Sequence, residues 1–419
     1  MNKTLRLGDH CEKIGSGATP RGGKETYLDY GPVALIRSQN IYNDRFSRSG
    51  LAYISEDQAT RLQNVEVKVG DVLLNITGDS VARACQEILP ARVNQHVAII
   101  RPLPDQIDPR FLRYFLVMPS MQAHMLGLAA AGATRNALTK SMIEGFRIPA
   151  WSIDRQRSIS EILGALDDKI DVNHRMNETL EAMARAIFKD WFVDFGPTRA
   201  KMEGRLPYLA PEIWALFPGR LDEQGYPEGW KRECVGEHIL NFDSKRVPIS
   251  SSERAKRRGP YPYHGATGVV DQIDDYLFDG IFLLVGEDGS VIKENGRAFT
   301  QYVWGKLWVN NHAHVLQGKG SVSTEQLLMY FQHEPVAPYI TGAVQLKLSQ
   351  GRMNSMPFVY AGKEVCLAFS DTVTSLFARV RCNANENGTL TQTRDLLLPK
   401  LMSGEIRVKD AEKQLAAVA

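Results

Sequence analysis

The residues best suited to chemistry recur in two short blocks, "VNQHVAII" (93–100) and "VNNHAHVL" (309–316). Each places a histidine two residues after an asparagine, giving Asn94 with His96 and Asn310 with His312. Histidine changes charge near neutrality and is the commonest general base. A base also needs a nucleophile or an orienting carboxylate, and none recurs beside these two. One shared histidine per block is likewise too few for a metal site. Two readings stay open: the ring and amide tie down the backbone of a turn, or they face a binding partner.

Other chemistry is weaker still. Glu66-Val67-Lys68, with Asp44 upstream, imitates a nuclease's carboxylate and lysine set, but this spacing is common by chance on an alternating strand. "QGKGS" (317–321) has the wrong spacing for a phosphate-binding loop. "DFGP" (194–197) is not the Asn/Asp-Pro-Pro-aromatic motif with which adenine methyltransferases hold a flipped base. Cys11, Cys85, Cys234, Cys366 and Cys382 are odd in number and far apart, with no CxxC pair, so neither a disulfide framework nor a structural zinc is indicated. No catalytic residue and no metal ligand is expected. The chain reads as reduced and cytoplasmic, with no signal peptide and no run approaching the roughly 18 apolar residues of a membrane span. A net charge of +2 does not announce a nucleic-acid binder. The basic run "SERAKRR" (252–258) suits phosphate, yet such runs are more often a solvated face.

The elements that must position these residues come in two kinds. In 1–150, apolar runs such as "PVALIRSQNI", "VEVKVGDVLLNITGDS" and "NQHVAIIRPL" lie between turn residues, which is strand chemistry. One helix is expected near 108–125, with Asp108 as its N-cap. From Asp154 to Trp191 the apolar period becomes helical: Leu163, Leu166, Ile170, Asn173, Asn177, Leu180 and Ile187 form a heptad-like seam. A helix so long wants a partner helix. A Pro/Gly-rich connector (195–230) with at most one short helix follows, then a second β-rich region (231–362) and a second helix with a tail (363–419).

These halves are copies of each other. Asn173, Asn177, Thr179 and Leu180 map at one constant offset onto Asn383, Asn387, Thr389 and Leu390. The seam follows as Val373, Leu376, Val380 and Leu397. Upstream, "GDVLLNITGDS" overlays "DGIFLLVGEDGS", and the two histidine blocks overlay each other. The sequence therefore predicts an α+β protein with two β-rich domains, 1–150 and 231–362. Long helices at 151–194 and in 363–419 would pair as an antiparallel coiled coil, relating the domains by a pseudo-twofold axis. Such domains suit two half-sites on a duplex.

"DRQRSISEILGALDDKIDVNHRMNETLEAMARAIFKDWFVDF" and "LLLPKLMSGEIRV" resemble the long helical segments of type I restriction–modification specificity subunits. "IGSGATPRGG…YGPVALIRSQNI" and "YHGATGVVDQIDDYLFDGIFLLVGEDG" with "LWVNNHAHVL" resemble their target-recognition domains. Cys366-Leu367 in place of Gln156-Arg157, with Gly388 and Pro399, departs from the pattern in the second helix. The resemblance implies a subunit that does no chemistry. It would read double-stranded DNA at a bipartite asymmetric site, one half per domain, while the helices set the spacer. It implies two modification subunits using S-adenosylmethionine, and restriction subunits using ATP and Mg2+; none of these cofactors would sit on this chain.

For base reading, Arg37, Ser38, Gln39 and Asn40 are expected to correspond to His264-Gly265-Ala266-Thr267, Thr77-Gly78-Asp79 to Glu287-Asp288-Gly289, and Thr134-Arg135 to Val344-Gln345. Arg and Lys suit guanine edges, Asn and Gln adenine, and Thr methyls thymine. Candidate DNA contacts are thus Arg37, Ser38, Gln39, Asn40, Thr77, Asp79, Asn94, His96, Thr134 and Arg135 in one domain. In the other they are His264, Thr267, Asp288, Asn310, His312 and Gln345. Lys140, Lys245, Arg246 and Lys347 are assigned to phosphate. The competing class is a coiled-coil scaffold with two ligand-binding β domains and no DNA.

Overall fold

Strands buried on both faces organise each half of the protein. A computed structural model describes residues 3–86, 89–131, 137–342 and 344–416 of the chain. Its contacts divide it into two units, Met1–Val172 with Glu386–Ala419, and Asn173–Asn385.

In the first unit, Cys11–Ser16, Val97–Pro102, Val72–Asn75 and Ala84–Cys85 form a four-stranded sheet in that order. Ala52–Ile54, Val33–Ile36 and Ala91–Val93 form a three-stranded one, in which the last two strands run parallel. Every position of Val72–Asn75 and Val97–Pro102 is buried. Side-chain alternation then sorts them into two cores. Val72, Leu74, Ala98 and Ile100 pack with Phe111, Leu112 and the long helices, whereas Leu73, Val97 and Ile99 pack with Leu35, Ile36 and Ile54.

The helix expected near 108–125 is two helices, Pro109–Val117 and Pro119–Ala130. Met118 between them is extended, at φ −60° and ψ 135°. The ring of Pro119 disfavours helical backbone in the residue before it, so the break was written in the sequence. Asp108 caps the first helix as expected, its carboxylate accepting from the Phe111 N–H at 2.8 Å.

The second unit repeats the plan. Its six-stranded sheet runs Ile239–Asn241, Ala313–Gly318, Phe278–Gly286, Thr300–Val309, Tyr261–His264, Val269–Ile273. Tyr261–His264 and Thr300–Val309 form its parallel pair. Leu283, Val285 and Leu316 face the helix Thr324–His333, while Phe282, Leu284 and Val315 face the other way. Each unit also pairs the first and last strands of its β-rich body, Thr4–Arg6 with Arg147–Pro149 and Lys231–Cys234 with Pro357–Tyr360. The connector holds two short helices, Gly196–Met202 and Pro211–Ala215, rather than at most one. Each has proline in its first turn, where the missing N–H costs no bond.

The long helices span Ile153–Phe192 and Lys363–Ser403. Within each unit their segments pack antiparallel. In the first unit Leu163 and Leu166 bury against Leu397 and Leu401, Lys169 pairs with Glu386 at 3.4 Å, and the Trp151 indole donates to the Met402 carbonyl at 3.2 Å. In the second, Ala184, Phe188 and Phe192 meet Phe369, Val373 and Phe377, with Phe192 and Phe369 edge to face at 5.1 Å. Pro399 lies inside the second helix without ending it. The carbonyl it deprives of a donor belongs to Asp395, an exposed residue that water can serve.

Among the seam residues, Leu163, Leu166, Asn173, Val373, Val380, Asn383, Asn387 and Leu397 are buried, and Ile170, Asn177, Leu180, Ile187, Leu376 and Leu390 half-buried. Asn383 Nδ2 donates to Asn177 Oδ1 at 2.8 Å, and Asn177 Nδ2 donates to the Val380 carbonyl at 3.2 Å. In the first unit Asn387 Nδ2 reaches the Ile170 carbonyl at 3.4 Å. The amides therefore bond across the seam.

Candidate nucleic-acid interface

Both histidine blocks build the same turn. The carbonyl of Ile36 accepts the Asn94 N–H at 3.0 Å, and that of His264 accepts the Asn310 N–H at 3.0 Å. Each asparagine carboxamide then accepts the backbone N–H of its histidine, His96 at 3.1 Å and His312 at 2.8 Å. Those histidine carbonyls accept from Ile76 and Glu287, whose own carbonyls accept from Leu138 and Leu348. Both asparagines are buried and hold backbone; the rings project further out.

These bonds correct the correspondence read from sequence by one residue. Ile36 is the structural counterpart of His264, and Thr77 that of Asp288 rather than of Glu287. Gly78 and Gly289 then coincide, with φ of 76° and 72°, a region that favours glycine. At the matched position the two units differ in chemistry. The Thr77 hydroxyl bonds the His96 ring at 2.6 Å, whereas Asp288 places a carboxylate against the His312 ring.

In the first unit Ser38, Gln39, Thr77, Asp79 and His96 line one open cleft of about 640 Å³. Asn40 lies beneath it, its amide donating to the Ser47 carbonyl at 2.9 Å and its oxygen accepting the Arg37 N–H at 3.1 Å. Arg37 is turned toward the Gly50 carbonyl and the Tyr27 ring, away from that lining. Lys140 is exposed and weakly paired with Glu144 at 3.7 Å. Thr134 and Arg135 lie outside the described residues. The cleft also takes Tyr42 and Arg83, which sequence reasoning missed.

In the second unit Thr267, Gln345 and Lys245 are exposed, and Lys245 rests over the Phe242 ring. His264 is instead enclosed, its Nδ1 bonded to Gln301 at 2.9 Å. Burial pushes its pKa below the usual histidine range, partly offset by Gln301, so it serves the sheet as a neutral ring.

Arg246 is a further correction. Its guanidinium bonds Glu287 at 2.7 Å and the Ala313 carbonyl at 2.7 Å, and Lys347 also approaches Glu287, at 3.3 Å. His314, fully buried, bonds Asp243 at 2.5 Å and the Leu348 carbonyl at 2.8 Å. Burial alone would raise the Asp243 pKa, but His314, the Val315 N–H and Arg246 hold it below the usual carboxylate range. Asp243, Glu287 and His314 lie close enough to suggest a metal, yet Arg246 already supplies positive charge to both carboxylates. The group is an internal ion-pair network, and Arg246 is committed to it rather than free to grip phosphate. "SERAKRR" is likewise largely neutralised: Arg254 meets Asp271 at 3.0 Å, Arg258 meets Asp271, and Arg257 meets Asp274 at 3.0 Å.

Comparison with known proteins adds the family context. Residues 2–182 match the family described as Type I restriction modification DNA specificity domain. The chain is 22% identical to the type I restriction enzyme HindI specificity subunit of Haemophilus influenzae, over 90% of this chain and 95% of that one. It is 24% identical to the MjaIX specificity subunit of Methanocaldococcus jannaschii, over 77% and 74%. The crystal structure of the type I restriction–modification S subunit from M. genitalium shares its fold at a TM-score of 0.54, with 15% identity and 95% of each chain covered.

Proposed function

The chain belongs to the specificity subunits of type I restriction–modification systems, and from that premise we propose that it reads DNA sequence for partner enzymes and does no chemistry itself. Each β-rich body reads one half of a bipartite, asymmetric site in double-stranded DNA. The observation that carries this reading is the repeated histidine turn with unlike side chains set on it. One scaffold presents Thr77 and His96 in one unit and Asp288 and His312 in the other, which is what two half-sites of different sequence require.

The paired helices set the length of the unread spacer and dock two modification subunits. Those subunits carry S-adenosylmethionine and methylate adenine, and restriction subunits bring ATP and Mg2+. The asparagines of the seam fix helix register, the role best attested for buried asparagine in coiled coils.

The test is to express the full chain with its cognate modification subunit and sequence methylated DNA. The expected result is adenine methylation at one bipartite motif that disappears without this chain. Methylation at a continuous motif, or methylation indifferent to this chain, contradicts the reading.

A further inference from the structure

Resting on that reading, the geometry points to Arg83, seated on Tyr42, as the residue that specifies a guanine in the half-site of the first unit. The Arg83 guanidinium lies over the Tyr42 ring, 4.9 Å from its centre, and both line the cleft that holds Gln39, Thr77 and His96. A guanidinium held over a ring face still has N–H donors to offer on the side away from that ring. Guanine offers O6 and N7 as a matching pair of acceptors in the major groove.

Among the described residues, Arg83 differs from Arg45 and Arg37 in having no acidic or carbonyl partner for its guanidinium. Arg45 also lies over Tyr42, at 4.9 Å, but is paired with Asp44 at 2.6 Å. Arg37 is turned to the Gly50 carbonyl. Among the described residues, no carboxylate pairs with Arg83. Asp79 lines the same cleft and would repel a phosphate drawn into it. A base edge is therefore the better-matched partner for Arg83.

The backbone is strained to put it there. Ala82, fully buried, adopts φ +75°, a conformation side-chain-bearing residues rarely take. Its N–H is held by the Asn75 carbonyl at 2.9 Å, and its carbonyl by the Gln122 amide at 2.8 Å. Asn75 N–H in turn donates to the Arg83 carbonyl at 2.8 Å. The same bond in the second unit runs from Gly286 to the Phe299 carbonyl at 2.9 Å. The structural counterpart of Arg83 is thus a phenylalanine, so this contact belongs to one half-site only.

The experiment compares methylated DNA from cells carrying the modification subunit with the wild-type chain, Arg83→Ala or Arg83→Lys. The wild type should require guanine at one position of the half read by the first unit. Arg83→Ala should relax that position by about tenfold or more. Arg83→Lys should relax it too, because lysine keeps the charge without the paired donors. The other half-site should stay specified in both variants, which reports that the chain is folded. Retention of the guanine requirement in Arg83→Ala overturns the inference. So does uniform loss of methylation that Arg83→Lys restores, the mark of a phosphate contact. A wild-type chain that directs no bipartite methylation fails the underlying reading instead.

Discussion

Asn383 donates its side-chain amide to the side-chain oxygen of Asn177 at 2.8 Å, inside a helix seam where leucine would pack better. Asn383 is fully buried, so the bond offsets a desolvation cost that leucine would never incur. Asn383→Ala leaves Asn177 without that donor and should destabilise the chain by about 1–3 kcal/mol in urea unfolding. Replacing both by leucine should recover that loss or exceed it. The double variant should also lose a single helix register, seen as methylation at more than one spacer length. A double variant no more stable than Asn383→Ala, with one spacer length kept, argues against a register role.

The apolar part of the seam should behave differently. Leu163 is fully buried among Leu166, Leu397 and Leu401. Leu163→Ala should cost about 2–5 kcal/mol with no gain from a compensating polar change. A shift of the unfolding midpoint equivalent to less than about 1 kcal/mol would mean that the site is looser than its burial indicates.

Acid should expose a second anchor. Asp167 accepts from Arg113, from the Tyr114 hydroxyl at 2.7 Å and from Arg394 at 2.8 Å. Burial works to raise its pKa, but Arg113, Arg394 and Tyr114 outweigh it and hold the carboxylate below its ordinary range. A depressed folded pKa contributes stability that is complete above the unfolded value of about 3.9 and is lost as pH falls through the folded value. Asp167→Asn should therefore lower the unfolding midpoint at pH 7, and the gap to wild type should close below about pH 4. A gap that is constant with pH contradicts the assignment.

Spacer length should follow helix length. One heptad inserted at matching places in both long helices adds roughly 10 Å of rise, about three base pairs of duplex. The methylated motif should keep both halves and gain a longer spacer. An unchanged spacer would remove the helices from that role.

Much of this was legible before the structure. The helical period from Asp154 to Trp191 and its copy two hundred or so residues on predicted paired helices, because a period survives changes in surrounding residues. The histidine turns were visible as repeated strings, but their backbone bonds were needed to align Thr77 with Asp288. The break at Met118 was also readable from Pro119 alone. What sequence could not supply was pairing across distance. Nothing near Arg246 announces that Glu287 neutralises it, and nothing near Arg83 announces Tyr42 beneath it or the reversed φ of Ala82. A charged residue's task depends on whether the fold gives it a partner.

The most direct measurement exchanges residues 231–362 for the corresponding segment of another specificity subunit and sequences methylated DNA from the resulting complex. Two independent readers on a common scaffold predict that one half of the motif is replaced while the other half stays as in the wild type. A motif changed in both halves, or in neither, contradicts independent reading by two units.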